Sequence, residues 1–333
     1  MTKQEIQQLF EAFNDKRVLI IGDVMIDTYM WGKVNRISPE APVPIVVVDK
    51  KENRLGGAAN VALNIQSMGA IPILCSVIGV DKQGELFLEL LKKQKLTSKG
   101  ILKSRSRITT IKTRVIGNNH QMLRVDEEIE GDITNIETEQ LIILISHLLK
   151  NEKIDVIIFE DYDKGLITPI LIHKIVEIAR QKNIPTVADP KRKNFNHYKS
   201  ITLFKPNLKE LSDGLKADVD PDDIRGIENH LSNFRKRQKI DTVLITLSEK
   251  GIYLHSKKTK TLLPAHVRNV ADVSGAGDTV VSVAALCTAI NLSSLLTAKI
   301  SNLAGGLVCE RVGVVPVDKK QLLNETLALN LKK

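Results

Sequence analysis

Short apolar runs separated by amphipathic stretches set the strongest limit on what this chain can fold into. Val18–Ile21, Ile71–Ile78, Val156–Phe159, Thr186–Ala188, Ile201–Phe204 and Thr242–Thr246 have the length and composition of buried strands. Ala58–Met68, Gln83–Lys95, Glu137–Leu149, Pro169–Gln181 and Asp222–Arg237 carry apolar residues at helical spacing. Strands that alternate with helices form βαβ units, and a parallel sheet must be covered on both faces. The expected fold class is therefore α/β: a doubly wound, mostly parallel sheet with helices on both faces.

Two stretches break the rhythm. Pro42–Val48 and Ile108–Val125 are β-rich with no helix between their runs. Gly117-Asn118-Asn119-His120 sits between two such runs and reads as a hairpin turn. Segments near 30–50 and 105–127 are thus expected to form a small sheet beside the main one, as a lid or a dimer surface. Ile6, Leu9, Phe10 and Phe13 suggest a short amphipathic helix at the start. No internal repeat or Gly/Ser linker interrupts the chain, so one domain with a lid is expected over residues 1–333.

Composition narrows the function classes. The N-terminal stretch has no apolar signal core, and the apolar run near Val280–Ile290 is too short to span a membrane. The expected location is the cytoplasm, with no membrane partner. Cys75, Cys287 and Cys309 are far apart in apolar surroundings and read as buried, inert thiols. The net charge of +9 fits either a nucleic-acid partner or an enzyme for anionic substrates. The basic run Arg235–Lys239 ends a helix-like stretch, where cations suit the C-terminal dipole. Aromatic residues are only 4% of the chain, which argues against single-strand binding. No nucleic-acid partner is expected.

Four motifs carry chemistry. Asp272-Val273-Ser274-Gly275-Ala276-Gly277-Asp278-Thr279 precedes a helix-like stretch. Small residues let backbone N–H groups approach a ligand, and a helix N-terminus favours negative charge. A carboxylate in such a loop repels phosphate but suits a base taking a proton from an attacking hydroxyl. The alternative is that Asp278 is a first-turn acid and the glycines only make a turn. Gly56-Gly57-Ala58-Ala59-Asn60 also opens a helix and suits a sugar laid against bare backbone, or else a plain helix entry. Asp23 and Asp27 follow the first strand, where ligands of open parallel sheets bind. They suit vicinal hydroxyls, or are turn acids. Asn207-Leu208-Lys209-Glu210 suits Mg²⁺-bound water and phosphate, yet an Asn followed three residues later by Glu is also a capping box. The Walker phosphate loop, the dinucleotide fingerprint, H-E-x-x-H and G-x-S-x-G are all absent from the sequence.

With GGAAN and DVSGAGDT in place, the chain resembles the ribokinase-like (PfkB) carbohydrate kinases. GDVMIDTYMWGKVNRISPEAPVPIV, EDYDKG, ADPKRKNFNHY, FKPNLKEL and TLSEKG, in this order, are similar to the D-glycero-β-D-manno-heptose-7-phosphate kinases. The resemblance runs roughly from Asp15 to Val317. It implies a ribokinase-like fold with a β-lid that often makes a homodimer. The implied reaction moves the γ-phosphoryl of ATP to the anomeric hydroxyl of the heptose 7-phosphate, on the way to ADP-heptose for lipopolysaccharide. ATP and Mg²⁺ are the implied cofactors, and a monovalent cation is compatible with them.

The resemblance further implies Asp278 as base and the amides of Gly275, Ala276 and Gly277 as anion hole. Asp23, Asp27, Gly56, Gly57 and Asn60 would hold the sugar. Asn207, Leu208, Lys209 and Glu210 would lie at the ATP phosphates, with Glu210 reaching the metal through water. Thr246, Ser248, Glu249, Gly251 and Asn302 would line the nucleotide pocket. Arg114, Arg124 and Lys191 are candidates for a distal phosphate, or are ordinary surface charges. Many relatives have Ser where this chain has Glu160. Some continue into a nucleotidyltransferase, which this chain lacks before Lys333, so a separate adenylyltransferase is expected as a pathway partner. The rival readings are another kinase of this family, acting on fructose phosphate, ribose or a nucleoside, and a sugar-phosphate-binding regulator without catalysis.

Overall fold

The computed structural model describes residues 1–266 and 268–329. The strands are β1 (Arg17–Gly22), β2 (Val24–Ile37), β3 (Pro44–Gly57), β4 (Ile71–Gly79), β5 (Gly100–Ser104), β6 (Ile111–Gly117), β7 (His120–Glu127), β8 (Val156–Glu160), β9 (Thr186–Asp189), β10 (Leu203–Phe204), β11 (Thr242–Thr246), β12 (Ile252–Ser256) and β13 (Lys260–Leu263). The helices are α1 (Lys3–Glu11), α2 (Ala58–Ser67), α3 (Lys82–Lys93), α4 (Asn135–Asn151), α5 (Pro169–Gln181), α6 (Leu208–Leu215), α7 (Ile224–Gln238), α8 (Ala276–Ala289), α9 (Ser294–Val308) and α10 (Lys319–Ala328).

Nine strands form the main sheet in the order β13-β12-β11-β10-β9-β8-β1-β4-β5. The run from β11 to β5 is parallel, and β12 and β13 are added antiparallel. Alternation along the strands feeds two cores. Val18 and Ile20 of β1 join Val156 and Ile158 of β8 under α2, α8 and α9. Leu19 and Ile21 join Ile157 and Phe159 under α4, α5 and α7. The chain leaves β1 toward β4 on one side and returns to β8 on the other. That reversal opens a crevice beyond the carboxyl ends of β1 and β8, where open α/β sheets bind ligands.

The second sheet has the order β3-β2-β6-β7. Its β6–β7 turn is the expected one: Asn118 and Asn119 have φ of 51° and 66°, as a two-residue hairpin turn needs. The β2–β3 ribbon is longer than the sequence suggests, 14 residues in each strand. Gly22–Asp27 is not a loop after β1. Asp23 alone separates the two strands, and Asp27 lies within β2. The run Ile201–Phe204 shortens to Leu203–Phe204, because the chain enters the sheet only after a left-handed turn at Ser200, φ 57°.

The expected N-terminal helix is present, and Cys309 is less buried than expected. Ile6, Leu9, Phe10 and Phe13 are buried, and Thr2 and Glu5 form a capping box on α1. The basic run closes α7, where Arg235 donates to the Ile240 carbonyl at 3.0 Å. Cys75 and Cys287 are buried and Cys309 is half-buried; burial pushes the Cys75 thiol up to about 12. Among the described residues, no helix is long and apolar enough to cross a membrane.

Candidate active site

The site lies at the crevice, where α8 points its first turn at the ends of β8 and β9. Gly275 precedes α8 with φ of 81°, a left-handed conformation suited to glycine. The tight turn uses one predicted anion donor: the Ala276 N–H donates to the Val273 carbonyl at 3.3 Å. Asp272 accepts from the N–H groups of Ser274 and Gly313, both at 2.9 Å, and so ties the loop down.

Asp278 is buried in the first turn of α8. Its Oδ2 accepts from Asn60 Nδ2 at 2.6 Å and its Oδ1 from the Tyr162 hydroxyl at 2.7 Å. Burial raises its carboxyl above the ordinary carboxylate value, while these two donors pull it back. Asn60 stands on α2, so GGAAN and DVSGAGDT, more than two hundred residues apart, meet at one carboxylate. Gly57 has φ of 60°, and a Cβ there would lie 2.5 Å from the Asp23 carbonyl. That close approach sets the entry of α2.

The two N-terminal acids diverge. Asp23 is bonded to backbone rather than to side chains. Its Oδ2 accepts from the N–H groups of Tyr162 and Lys164 at 2.9 and 3.2 Å, and its Oδ1 from Leu166 at 3.1 Å. Three backbone donors hold the 162–166 loop against the end of β1. Asp27, buried on β2, pairs with Arg114 at 2.6 Å. A Cβ on Gly56 would sit 2.2 Å from Asp27 Oδ2, so only glycine leaves room for that carboxylate. The guanidiniums of Arg54 and Arg114 flank the Tyr29 ring at 4.9 and 5.3 Å.

Of the three basic candidates, Arg114 alone stands at Asp27. Arg124 lies opposite it in register but is 50% exposed and paired with Asp126 at 3.0 Å. Lys191 is on the other side of the site, bonded to Glu210 and 5.4 Å from the Tyr162 ring centroid. Its partners place it at the Asn207–Glu210 motif, apart from Arg114.

That motif forms the full capping box of α6: Glu210 N–H to Asn207 Oδ1 and Asn207 N–H to Glu210 Oε2, both 2.8 Å. Glu210 also holds Lys191 through Oε1. Leu208 packs on the core beneath α6 and α7, and Lys209 is exposed. Asn207 bridges to Thr246 at the end of β11. Ser248 and Gly251, with φ of 53° and 92°, make the turn into β12, with Glu249 exposed between them. Asn302 donates to the Pro264 carbonyl at 2.8 Å and steadies the next loop. Thr246, Ser248, Glu249 and Gly251 thus lie at the end of β11 and in the turn to β12. Among the described residues, no group of three or more His, Cys, Asp or Glu is arranged to hold a metal ion. Both Glu210 oxygens are engaged, by the Asn207 N–H and by Lys191, so the carboxylate suits contact with Mg²⁺ through water and not direct ligation.

Four residues outside the motif reading complete the site. Tyr162 bonds the Asp278 carboxylate. Asp189, at the end of β9, pairs with Lys205 at 2.8 Å, and both are buried. Glu160, ending β8, is fully buried beside them. They are contributed by adjacent strand ends, a neighbourhood that only the sheet order reveals.

A crevice at the switch point of a doubly wound sheet, with a helix-start loop, a buried carboxylate and a β-lid, defines the ribokinase-like class of α/β proteins. Phosphofructokinase-2 from Escherichia coli, in its tetrameric inhibited form, superposes with a TM-score of 0.76 at 18% identity, covering 95% of this chain and 100% of that one. Arabidopsis thaliana ribokinase complexed with ribose and ATP gives 0.69 at 15% identity, covering 93% and 99%. Residues 15–320 match the pfkB family carbohydrate kinase model, and the chain belongs to that family. Curated relatives include the bifunctional proteins HldE of Citrifermentans bemidjiense, 34% identical over 98% of this chain, and of Desulfatibacillum aliphaticivorans, 37% identical over 96%. The chain spans 66% of the length of each.

Proposed function

We propose that this carbohydrate kinase phosphorylates D-glycero-β-D-manno-heptose 7-phosphate at its anomeric hydroxyl, using ATP and Mg²⁺ in the cytoplasm. The observation that carries the reading is Asp278, held by Asn60 and Tyr162 beside an anion-accepting loop. Asp278 takes the proton of the attacking hydroxyl as the oxygen reaches the γ-phosphorus. General-base assistance of this kind is worth about 10²–10⁴-fold. The N–H groups of Gly275 and Gly277 meet the charge on the transferring group, the Ala276 N–H being given to the Val273 carbonyl, in a reaction governed by positioning and charge neutralisation. Mg²⁺ would supply further charge neutralisation at the phosphates, with Glu210 reaching it through water.

Asp27, Gly56, Gly57 and Asn60 line the sugar side, and Arg114 is the cation proposed for the substrate's distal phosphate, with Arg54 beside it. The pairing of Arg124 with Asp126 and of Lys191 with Glu210 favours Arg114 over either for that role. Thr246, Ser248, Glu249, Gly251 and Asn302 form the proposed nucleotide side. The product, a 1,7-bisphosphate, is on this reading an intermediate toward ADP-heptose for lipopolysaccharide. The HldE name of the relatives and the ISPEAPVP segment support the heptose as substrate.

The test is ADP release with Mg·ATP and the heptose 7-phosphate, beside fructose 6-phosphate, ribose and adenosine. Turnover on the heptose phosphate alone is expected. Preferred turnover on another sugar would overturn the substrate and keep the kinase.

A further inference from the structure

Glu160 is the least explained group in the molecule. It ends β8 with no exposed surface, and neither of its carboxylate oxygens has a hydrogen-bond partner among the described residues. The parallel register sets it opposite Asp189 on β9. Asp189 Oδ2 is bonded to Lys205 Nζ at 2.8 Å, but its Oδ1 is also buried and without a partner. Two neighbouring carboxyls therefore present three unpartnered oxygens and no visible donor.

The surroundings leave little room for another solution. On the β1 side stands Gly22, where a Cβ would lie 2.2 Å from the Glu160 carbonyl and 2.9 Å from Ala58 Cβ. That side offers no charge. Asp278 of α8 and the Tyr162 hydroxyl face the cluster from above, and the Tyr162 O–H is already given to Asp278. Lys191 is bonded to Glu210 and Lys205 to Asp189. An ionised, undonated buried carboxylate is strongly disfavoured, and two adjacent carboxyls resolve the conflict by holding one proton between them. In agreement, burial first, then the charges of Asp189 and Asp278, push the Glu160 carboxyl well above its ordinary value.

The cluster also meets the transfer loop. A Cβ on Gly277 would lie 3.7 Å from Lys205 Nζ and 4.0 Å from Asp189 Oδ2. The Lys205 ammonium is thus lodged directly under the helix-start loop.

We propose that Glu160 is a positioning residue: it shares one proton with Asp189, and the pair holds the Lys205 ammonium beneath the 275–278 loop, facing the transferred phosphoryl group. The proton sharing stands by itself, while the part played by Lys205 rests on the kinase reading. With the proton in place, Glu160, Asp189 and Lys205 together carry no net charge. Its loss as pH rises adds a negative charge beside Asp278 and the incoming phosphates, so activity falls on the alkaline side.

The test compares the wild type with Glu160→Gln and Glu160→Leu, with thermal unfolding to confirm that each is folded. Infrared spectra in deuterated buffer near neutral pH are expected to show a protonated-carboxyl band that Glu160→Gln removes, leaving any band from the neighbouring Asp161, whose carboxyl burial pushes up to about 7. Glu160→Leu is expected to lower kcat by about 10²-fold, the cost of misplacing a preorganised charge, with the sugar KM little changed. Glutamine, whose N–H replaces the shared proton, recovers most of that loss and lacks the alkaline fall. An unchanged infrared spectrum in folded Glu160→Gln, or superimposable pH profiles, would overturn the proposal. If no form turned over any sugar, the kinase reading would fail, and the infrared comparison would still decide where the proton is.

Discussion

At the residue scale the site depends on close approaches that leave no slack. Gly56 lies where any side chain would strike the Asp27 carboxylate, 2.2 Å from the built Cβ. Gly56→Ala should displace that carboxylate and also press on the buried Met25 side chain, whose Cγ lies 2.9 Å from the same built Cβ; misplacement of a positioning group by about 1 Å can cost about 10²-fold. The expected outcome is weakened turnover on the sugar together with a lowered unfolding midpoint, read from steady-state kinetics and a melting curve. Residue types and spacing reveal Asp278 and the glycines, because small residues before a helix have few other uses. They do not show that Asp23 accepts from three backbone N–H groups, because a carboxylate after a strand looks the same in sequence whatever donors surround it. Tyr162, Asp189 and Lys205 gain their meaning only from neighbours that the fold supplies.

Among the elements, α4 shows how local chemistry fixes a helix start and couples it to pH. Thr134 and Glu137 form a capping box, and Glu137 also accepts from Ser104 and from Ser106. Burial alone would raise the Glu137 carboxyl, but these donors outweigh it and hold it down at about 2. A depressed carboxyl stabilises the fold above its unfolded value and loses that contribution as pH falls through the folded value. Here the window runs from the ordinary 4.5 down to about 2. Thr134→Ala should cost about 1 kcal/mol of stability by denaturant melts at neutral pH, the usual worth of an N-cap. Glu137→Gln should flatten the loss of stability across that acid window. The cap is legible in the sequence, since Thr stands three residues before Glu ahead of an apolar run. The long β2 strand is not, because polar residues interrupt its apolar pattern and hide its two-residue period.

At the scale of the whole molecule, the lid leaves an apolar surface unaccounted for. Ile37, Val47, Val48, Met122, Leu123 and Val125 are all exposed on the small sheet. Leu123 and Val125, two apart in β7, share one face of the small sheet; exposed apolar residues side by side mark association surfaces, and we propose that two copies pair through this sheet. Leu123→Asp, at a residue 57% exposed, should leave the fold intact and shift the protein toward monomer by sedimentation. A variant that stays dimeric would place the interface elsewhere. The central claim is that Asp278 is the base. It is tested most directly by steady-state ADP release from Asp278→Asn and the wild type on the accepted sugar, with ATP affinity measured for both. Asn60 has an unpartnered Oδ1, so a rotated Asn60 amide can accept from the side-chain N–H that the substitution introduces and keep the site folded. The account predicts a loss in kcat of about 10²–10⁴-fold with ATP affinity retained. A variant that keeps turnover within about tenfold of the wild type, well short of what a lost general base costs, would contradict it.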